Sequence, residues 1–208
     1  MDYREASHEY WNRIWNRIED YTTDNWLDDF ESIITPATGT ILDLGCGDGN
    51  DTFYLLSRGK DVIACDQSEI ALKNVRKHFR NIETMKFNML DGIPFADNAF
   101  EIVIADLSLH YFTTEDTNNI IQEIKRVLKP EGHILLRVNS INDTNHGAGQ
   151  GKEIEPHLYE NNNMLKRFFD VADICVFFKE FAIEYINEEL MHRYEKPKWV
   201  FKVSVKKP

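Results

Sequence analysis

From Ile41 to Thr52 the chain reads Ile-Leu-Asp-Leu-Gly-Cys-Gly-Asp-Gly-Asn-Asp-Thr, and this run carries the most informative chemistry. Gly45, Gly47 and Gly49 stand at alternate positions, which lets the backbone turn sharply and approach a ligand closely. An apolar strand before this turn and a helix after it place it at the carboxyl end of a sheet, where nucleotide-type cofactors bind in such folds. The dinucleotide fingerprint requires another glycine three residues past its second, opening the helix to a pyrophosphate. That position is Asn50. Asp43, Asp48 and Asp51 crowd the same loop and disfavour a diphosphate. The loop suits a cofactor that carries positive charge, such as a sulfonium with an α-ammonium.

Other residues invite chemical roles. Asp66 closes the second strand, and a carboxylate there accepts two hydroxyl hydrogen bonds well. His110, just past the fourth strand, is the candidate general base, since an imidazole titrates near neutrality. An ordinary loop histidine is the competing reading of it. Arg137, Asn139, Ser140 and Asn142 are candidates for lining an acceptor pocket beyond the fifth strand, or for satisfying loop backbone. Gly147-Ala148-Gly149-Gln150-Gly151-Lys152 has the wrong glycine-to-lysine spacing for a phosphate loop, and Glu153 stands where a magnesium-holding hydroxyl belongs. It reads as a mobile flap over 140–152, beside the acceptor. Cys46 reads as a small filler in a crowded turn, and no histidine or cysteine pair has metal-ligand spacing.

The elements that must position these residues follow from periodicity. Residues 1–36 are expected to form cap helices: Trp11, Ile14, Trp15 and Ile18 fall at helical spacing, followed by Leu27, Phe30 and Ile34. The Trp11/Trp15 stripe reads as core, with Tyr10 and Trp11 able to close over a cofactor. From Thr40, short apolar runs alternate with amphipathic helices, predicting βαβ units and a parallel sheet. Strands are expected at Thr40–Leu44, Asp61–Cys65, Met85–Asn88, Phe100–Ala105 and His133–Val138. A helix from about Asp51 stops at Gly59, and Ser68 caps the next. Ile120, Ile121, Ile124, Val127 and Leu128 mark a further helix, which Pro130 and Gly132 terminate. A helical region within about 162–180 and two final strands, from Ile183 and Trp199, complete the pattern. The expected fold is α/β: a Rossmann-like αβα sandwich with a seven-stranded, mostly parallel sheet and an antiparallel last strand. One domain spans 1–208, with caps at 1–36, a core at 38–140, and a flap, helix and hairpin at 141–208.

Asp43-Leu44-Gly45-Cys46-Gly47-Asp48-Gly49 resembles the first motif of class I S-adenosylmethionine-dependent methyltransferases. Asp66 sits where that family places an acidic residue on the ribose hydroxyls, with Gln67 beside it. Asn88-Met89-Leu90-Asp91 resembles the adenine-contacting segment, leaving Asn88 or Asp91 as the adenine partner. Phe100 to Tyr111, including Asp106, resembles the fourth-strand motif, and Leu128-Lys129-Pro130-Glu131-Gly132 resembles the Leu-Lys-Pro-Gly-Gly turn, with Glu131 replacing a glycine. The likeness spans about 38–140. Within the superfamily the chain is most similar to the small tellurite-resistance-like methyltransferases. It implies S-adenosylmethionine as cofactor, with Asp43, Gly45, Cys46, Gly47, Gly49, Asp66, Gln67, Asn88, Met89 and Asp106 around it.

Composition bounds the acceptor and the setting. A net charge of −11 repels phosphate backbones, so nucleic acid and anionic membranes are excluded as partners and a small neutral or cationic acceptor is expected. Three cysteines, no long uncharged apolar run and a polar start fit a cytoplasmic protein, acting as monomer or homodimer. The rival readings are a non-catalytic S-adenosylmethionine-binding module and a methyltransferase acting on a macromolecule.

Overall fold

The computed structural model describes residues 3–17 and 24–208; Ile18 of the expected cap stripe lies outside them. Helix α1 (Tyr3–Trp15) is followed, after Asp24, by a 3₁₀ turn (Trp26–Phe30) running into the short α2 (Glu31–Ile34). The alternating region then gives β1 (Ile41–Leu44), α3 (Asn50–Ser57), β2 (Val62–Asp66), α4 (Glu69–His78), β3 (Glu83–Lys86), β4 (Phe100–Asp106), α5 (Thr114–Val127) and β5 (Leu128–Asn139). β6 (Lys152–Glu155), β7 (Leu158–Asn161), β8 (Met164–Arg167), α6 (Val171–Phe177), β9 (Ala182–Met191) and β10 (Lys198–Lys206) complete the chain.

The main sheet has seven strands in the order β3-β2-β1-β4-β5-β10-β9. β10 runs antiparallel to both β5 and β9, and the other pairs are parallel. This is the expected Rossmann-like sandwich, and its order reverses between β1 and β4, which opens a crevice at the carboxyl edge. Alternation along the strands explains the three layers. Leu42, Val103, Ile134 and Leu136 pack with Ile120, Ile124, Ile174 and Phe178 on one face. Ile41, Ile102, Ile104 and Leu135 pack with Leu27, Phe30, Ile34 and Leu55 on the other.

Local expectations fare unevenly. Gly59 follows the end of α3 in the left-handed region at φ +69°, as a helix terminator should. β3 ends two residues short of its expected limit, and Asn88 instead caps a 3₁₀ turn (Met89–Asp91) by accepting from Leu90 N at 3.0 Å. β5 begins at Leu128 rather than His133. Its pairing with β4 shifts between Phe100 and Ile102, and Glu131 occupies φ +63° where a glycine would be unstrained.

The helical region expected within about 162–180 is α6 at Val171–Phe177, held by a capping box between Asp170 and Asp173. Ahead of it, Asn162 and Asn163 adopt φ +52° and +62°, a two-residue turn whose twist matches a hairpin. It joins β7 to β8 and, with β6, makes a separate three-stranded antiparallel sheet that the sequence reading did not anticipate.

α4 is fastened at its start by Ser68, whose Oγ accepts from Ala71 N at 3.3 Å and donates to Asn12 Oδ1 of α1 at 2.6 Å. One hydroxyl therefore closes a helix end and ties the cap helix down. Ser68→Ala is expected to lower the unfolding free energy by about 1 kcal/mol, the usual worth of such a cap. Denaturant titration measures this, and an unchanged midpoint would show that the cap is redundant.

Candidate active site

A cavity of about 1010 Å³, its solvent-open part included, lies at the carboxyl edge of β1, β2 and β4. The glycine loop forms its floor through Gly45, Cys46 and Gly47. Gly45 and Gly47 adopt φ +84° and +52°, and a Cβ at either would stand 2.7 Å from Ser108 Cβ or 2.6 Å from the Trp15 ring. No side chain fits there. Asp66 Oδ2 accepts from Gly47 N at 3.1 Å and its Oδ1 from Ser68 N at 2.8 Å, which fixes the carboxylate beside the loop. Gln67, Asn88 and Met89 extend this wall.

Among the sequence candidates for the cofactor, Gly45, Cys46, Gly47, Asp66, Gln67, Asn88, Met89 and Asp106 reach the cavity, while Asp43, Gly49 and the alternative Asp91 do not. Asp43 is buried beneath the loop, where Thr52 Oγ1 donates to it at 2.5 Å. Gly49 is the residue before α3. These two shape the loop from behind.

Burial of so many carboxyls has an electrostatic cost. Burial pushes Asp43 up to about 7, with the Asp106 and Asp66 charges adding to the rise. Burial likewise lifts Asp66 to about 6, although backbone N–H donors oppose it. Asp51 is raised further by burial and by Asp106 and Asp43; Trp26 Nε1 donates to it at 2.8 Å.

Asp106 behaves oppositely. Burial alone would raise it, but the Arg137 and Arg193 charges outweigh burial and hold it below its ordinary value. Arg137 donates bidentately, from Nε to Oδ1 at 2.6 Å and from Nη2 to Oδ2 at 2.8 Å, and gives Nη1 to Asp24 Oδ2 at 2.6 Å. Its guanidinium also lies 4.8 Å from the Trp26 ring centre.

Arg137 was a candidate for the acceptor pocket, and the structure corrects this: it is 1% exposed and serves carboxylates beneath the cavity. Asn139 donates to Arg167 O, while Ser140 and Asn142 both reach Glu188, so none of the three lines the cavity. Residues 140–152 do not line it either. They turn around Asp143, which accepts from Trp199 N and His146, and lead into β6. His110 is fully buried with neither ring nitrogen bonded, and burial, then Lys198 and Lys166, holds it well below its ordinary value. Its ring does not face the cavity.

The remaining walls come from the N-terminal helix and from two segments that local sequence did not assign to the pocket. Ser7, Trp11 and Trp15 of α1 roof the cavity, so the tryptophan stripe expected as core is pocket wall, and Trp11, though not Tyr10, reaches the cavity as the alternative had it. Tyr111 and Phe112 follow β4, and Arg193, Tyr194 and Lys198 come from the β9–β10 connection. The Glu195-to-Lys198 turn was legible as a hairpin; that its flanks reach the cavity depends on β10 lying beside β5.

Residues 41–132 match the family described as "Methyltransferase domain". An uncharacterised methyltransferase-like protein of Schizosaccharomyces pombe is 34% identical over 128 residues, 61% of this chain and 46% of that one. The tRNA N(3)-cytidine methyltransferase METTL2 of Gallus gallus is 31% identical over 112 residues, 49% of this chain and 30% of that one. The chain thus spans about half, or less, of these relatives' length. A Burkholderia thailandensis 1,6-didemethyltoxoflavin-N1-methyltransferase, solved with 1,6-didemethyltoxoflavin and S-adenosylhomocysteine, shares the fold. Its TM-score is 0.72 at 17% identity, covering 97% of this chain and 84% of that chain. The resemblance to class I S-adenosylmethionine-dependent methyltransferases holds over the matched core, and these relatives do not single out the tellurite-resistance-like branch.

The buried Arg137 network makes a direct prediction. Removing the cation leaves Asp106 buried and without its bidentate partner, so Arg137→Met is expected to cost about 3–5 kcal/mol of stability. Chemical denaturation checks this; a loss under 1 kcal/mol would show that Arg193 suffices alone.

Proposed function

We propose that this chain transfers a methyl group from S-adenosylmethionine to a small-molecule acceptor by in-line displacement. The observation that carries the reading is the enclosure of one cavity by the glycine loop below and α1 above, lined by both carboxylates and aromatic rings. Gly45 and Gly47 bring bare backbone to it, since a Cβ there would collide with Ser108 or Trp15, and the Asp66 carboxylate is held beside them. That acidic setting suits a sulfonium and an ammonium, with Asp66 on the ribose hydroxyls and Gln67, Asn88 and Met89 along the adenine. The aromatic side chains Trp11, Tyr111 and Phe112 hold the acceptor in line with the methyl group. Positioning of this kind supplies several kcal/mol of rate enhancement without a covalent step.

The likeness to a tRNA methyltransferase favours a second reading, a polynucleotide acceptor. The net charge of −11 and the roof formed by α1 oppose it, because phosphate contacts need lysines and arginines. We keep the chain as one domain, monomeric or dimeric, in the cytosol. Among its described residues, no helix is long and apolar enough to cross a membrane.

Calorimetric titration with S-adenosylmethionine, S-adenosylhomocysteine and NAD in parallel tests the reading. The first two are expected to bind in the micromolar range and NAD not at all; binding of NAD alone overturns it. A salt-sensitive affinity for tRNA would move the choice to the polynucleotide acceptor. Asp66→Ala is expected to weaken S-adenosylmethionine at least about tenfold, the worth of hydrogen bonds to a charged group.

Affinity should also follow pH. Asp66, which lines the cavity, titrates near 6, and Asp43, beneath the loop, near 7; both are raised, and protonation of either lowers the negative charge that draws in a cationic ligand. Binding is expected to be tightest above about pH 7 and to weaken as pH falls through 7 to 6. A flat profile over that range would remove the carboxylates from cofactor recognition.

A further inference from the structure

The lining of the cavity includes an amine in an unusual setting. Lys198, the first residue of β10, lines the cavity although its side chain is only 6% exposed. Lys166 of β8 adds a nearby positive charge, and its own Nζ donates to His146 O at 2.8 Å. The other groups facing Lys198 are Asp143, with Oδ2 at 3.9 Å, Asp106, the neutral His110 ring, and Tyr194, whose ring centre is 5.8 Å away. Arg193 and Tyr111 line the same cavity.

We propose that Lys198 is the general base of the reaction and that the acceptor is a planar aromatic compound bearing a phenolic hydroxyl. This rests on the methyltransferase reading above. The hydroxyl proton passes to Lys198 Nζ as the oxygen–methyl bond forms and the sulfur–methyl bond breaks, with that bond's electron pair remaining on sulfur. Lys198 then releases the proton to solvent and the amine is regenerated. Asp143 steadies the transient ammonium from 3.9 Å. The aromatic ring has walls to match: Trp11 and Tyr111 meet edge to face at 5.3 Å beside Phe112.

The setting agrees with this role. Burial, and then the Lys166 charge, hold Lys198 down to about 7, so at neutral pH a substantial fraction is free amine. The base works when deprotonated; kcat at saturating S-adenosylmethionine therefore rises with pH through about 7 and levels off above it.

Two measurements test the proposal. In protein carrying ¹³C-labelled lysine, the resonance missing from Lys198→Arg should titrate with a midpoint near 7, and Lys166→Met should move that midpoint upward. A midpoint above 9 in the unaltered protein overturns the proposal without any assay of turnover. In the second, S-adenosylhomocysteine release is followed with phenol, catechol and 4-nitrophenol, against pyridine and nicotinamide, whose nitrogens lose no proton on methylation. Turnover on the phenols is expected. Lys198→Met and Lys198→Arg should lower kcat at least about 100-fold and abolish the limb near pH 7, while S-adenosylmethionine affinity changes by less than about threefold. Turnover confined to the pyridines, or full kcat in Lys198→Arg, overturns the base. Failure of the unaltered protein to bind S-adenosylmethionine would instead defeat the methyltransferase reading itself.

Discussion

At the carboxyl edge of the sheet, the guanidinium of Arg137 is divided between Asp106 and Asp24 while its flat face lies near Trp26. Five carboxyls, those of Asp24, Asp43, Asp51, Asp66 and Asp106, gather around this edge, and burial opposes the ionised form of each buried one. Arg137 lets Asp106 stay charged there. A planar fork suits the task because two parallel hydrogen bonds fix the carboxylate's orientation, which a lysine could not do. The contact also joins elements remote in sequence: β5 supplies the cation, β4 one anion, and the segment preceding the 3₁₀ turn the other. Arg193 adds a second contact to each anion from the β9–β10 connection. Two carboxylates from separate elements and the Trp26 ring all meet at this one group.

Much of the glycine-loop wall was legible because its signals are local. The alternate glycines, the carboxylate closing β2 and the serine starting α4 each act within a few residues of their own position, so type and spacing were enough. The wall built by the β9–β10 connection was not, because it is assembled by long-range pairing. Whether Arg137 points into a pocket or beneath it depends on which carboxylates lie on β4 and beside Trp26. Whether Lys198 reaches the cavity depends on β10 lying against β5, with Val200 opposite Asn139. The glycine-rich 147–151 stretch misled in the usual way, since glycine marks an unusual backbone without saying what the backbone approaches. The missed small sheet did have a signal. Asn161-Asn162-Asn163 is a run of the residue type that tolerates the left-handed region, which Asn162 and Asn163 adopt.

His110 shows why a residue type alone does not identify a base. Its imidazole titrates in the right range in water, but in the core it has no hydrogen-bond partner and faces no cavity. Burial and two nearby lysines keep it neutral, so it can neither receive a substrate proton nor pass one on. An amine begins much too basic for the role and is brought into range by the burial and neighbouring cations that disable the imidazole. The same environment that removes one candidate thus creates the other.

Both signs of charge therefore meet at one cavity. Asp48, Asp51, Asp66 and Asp106 line it, where a positively charged donor is proposed to sit, and so does Lys198, proposed to take the acceptor's proton. Methyl transfer consumes a positive charge at sulfur and, for a hydroxyl nucleophile, needs negative charge to develop on oxygen before the new bond is complete. On that proposal the carboxylates would draw in the cationic donor and Lys198 would take the proton that the acceptor loses. Carboxylates left uncompensated beside the acceptor would oppose the charge on oxygen, and the pairing of Asp106 with Arg137 and Arg193 keeps that one compensated at the cavity wall.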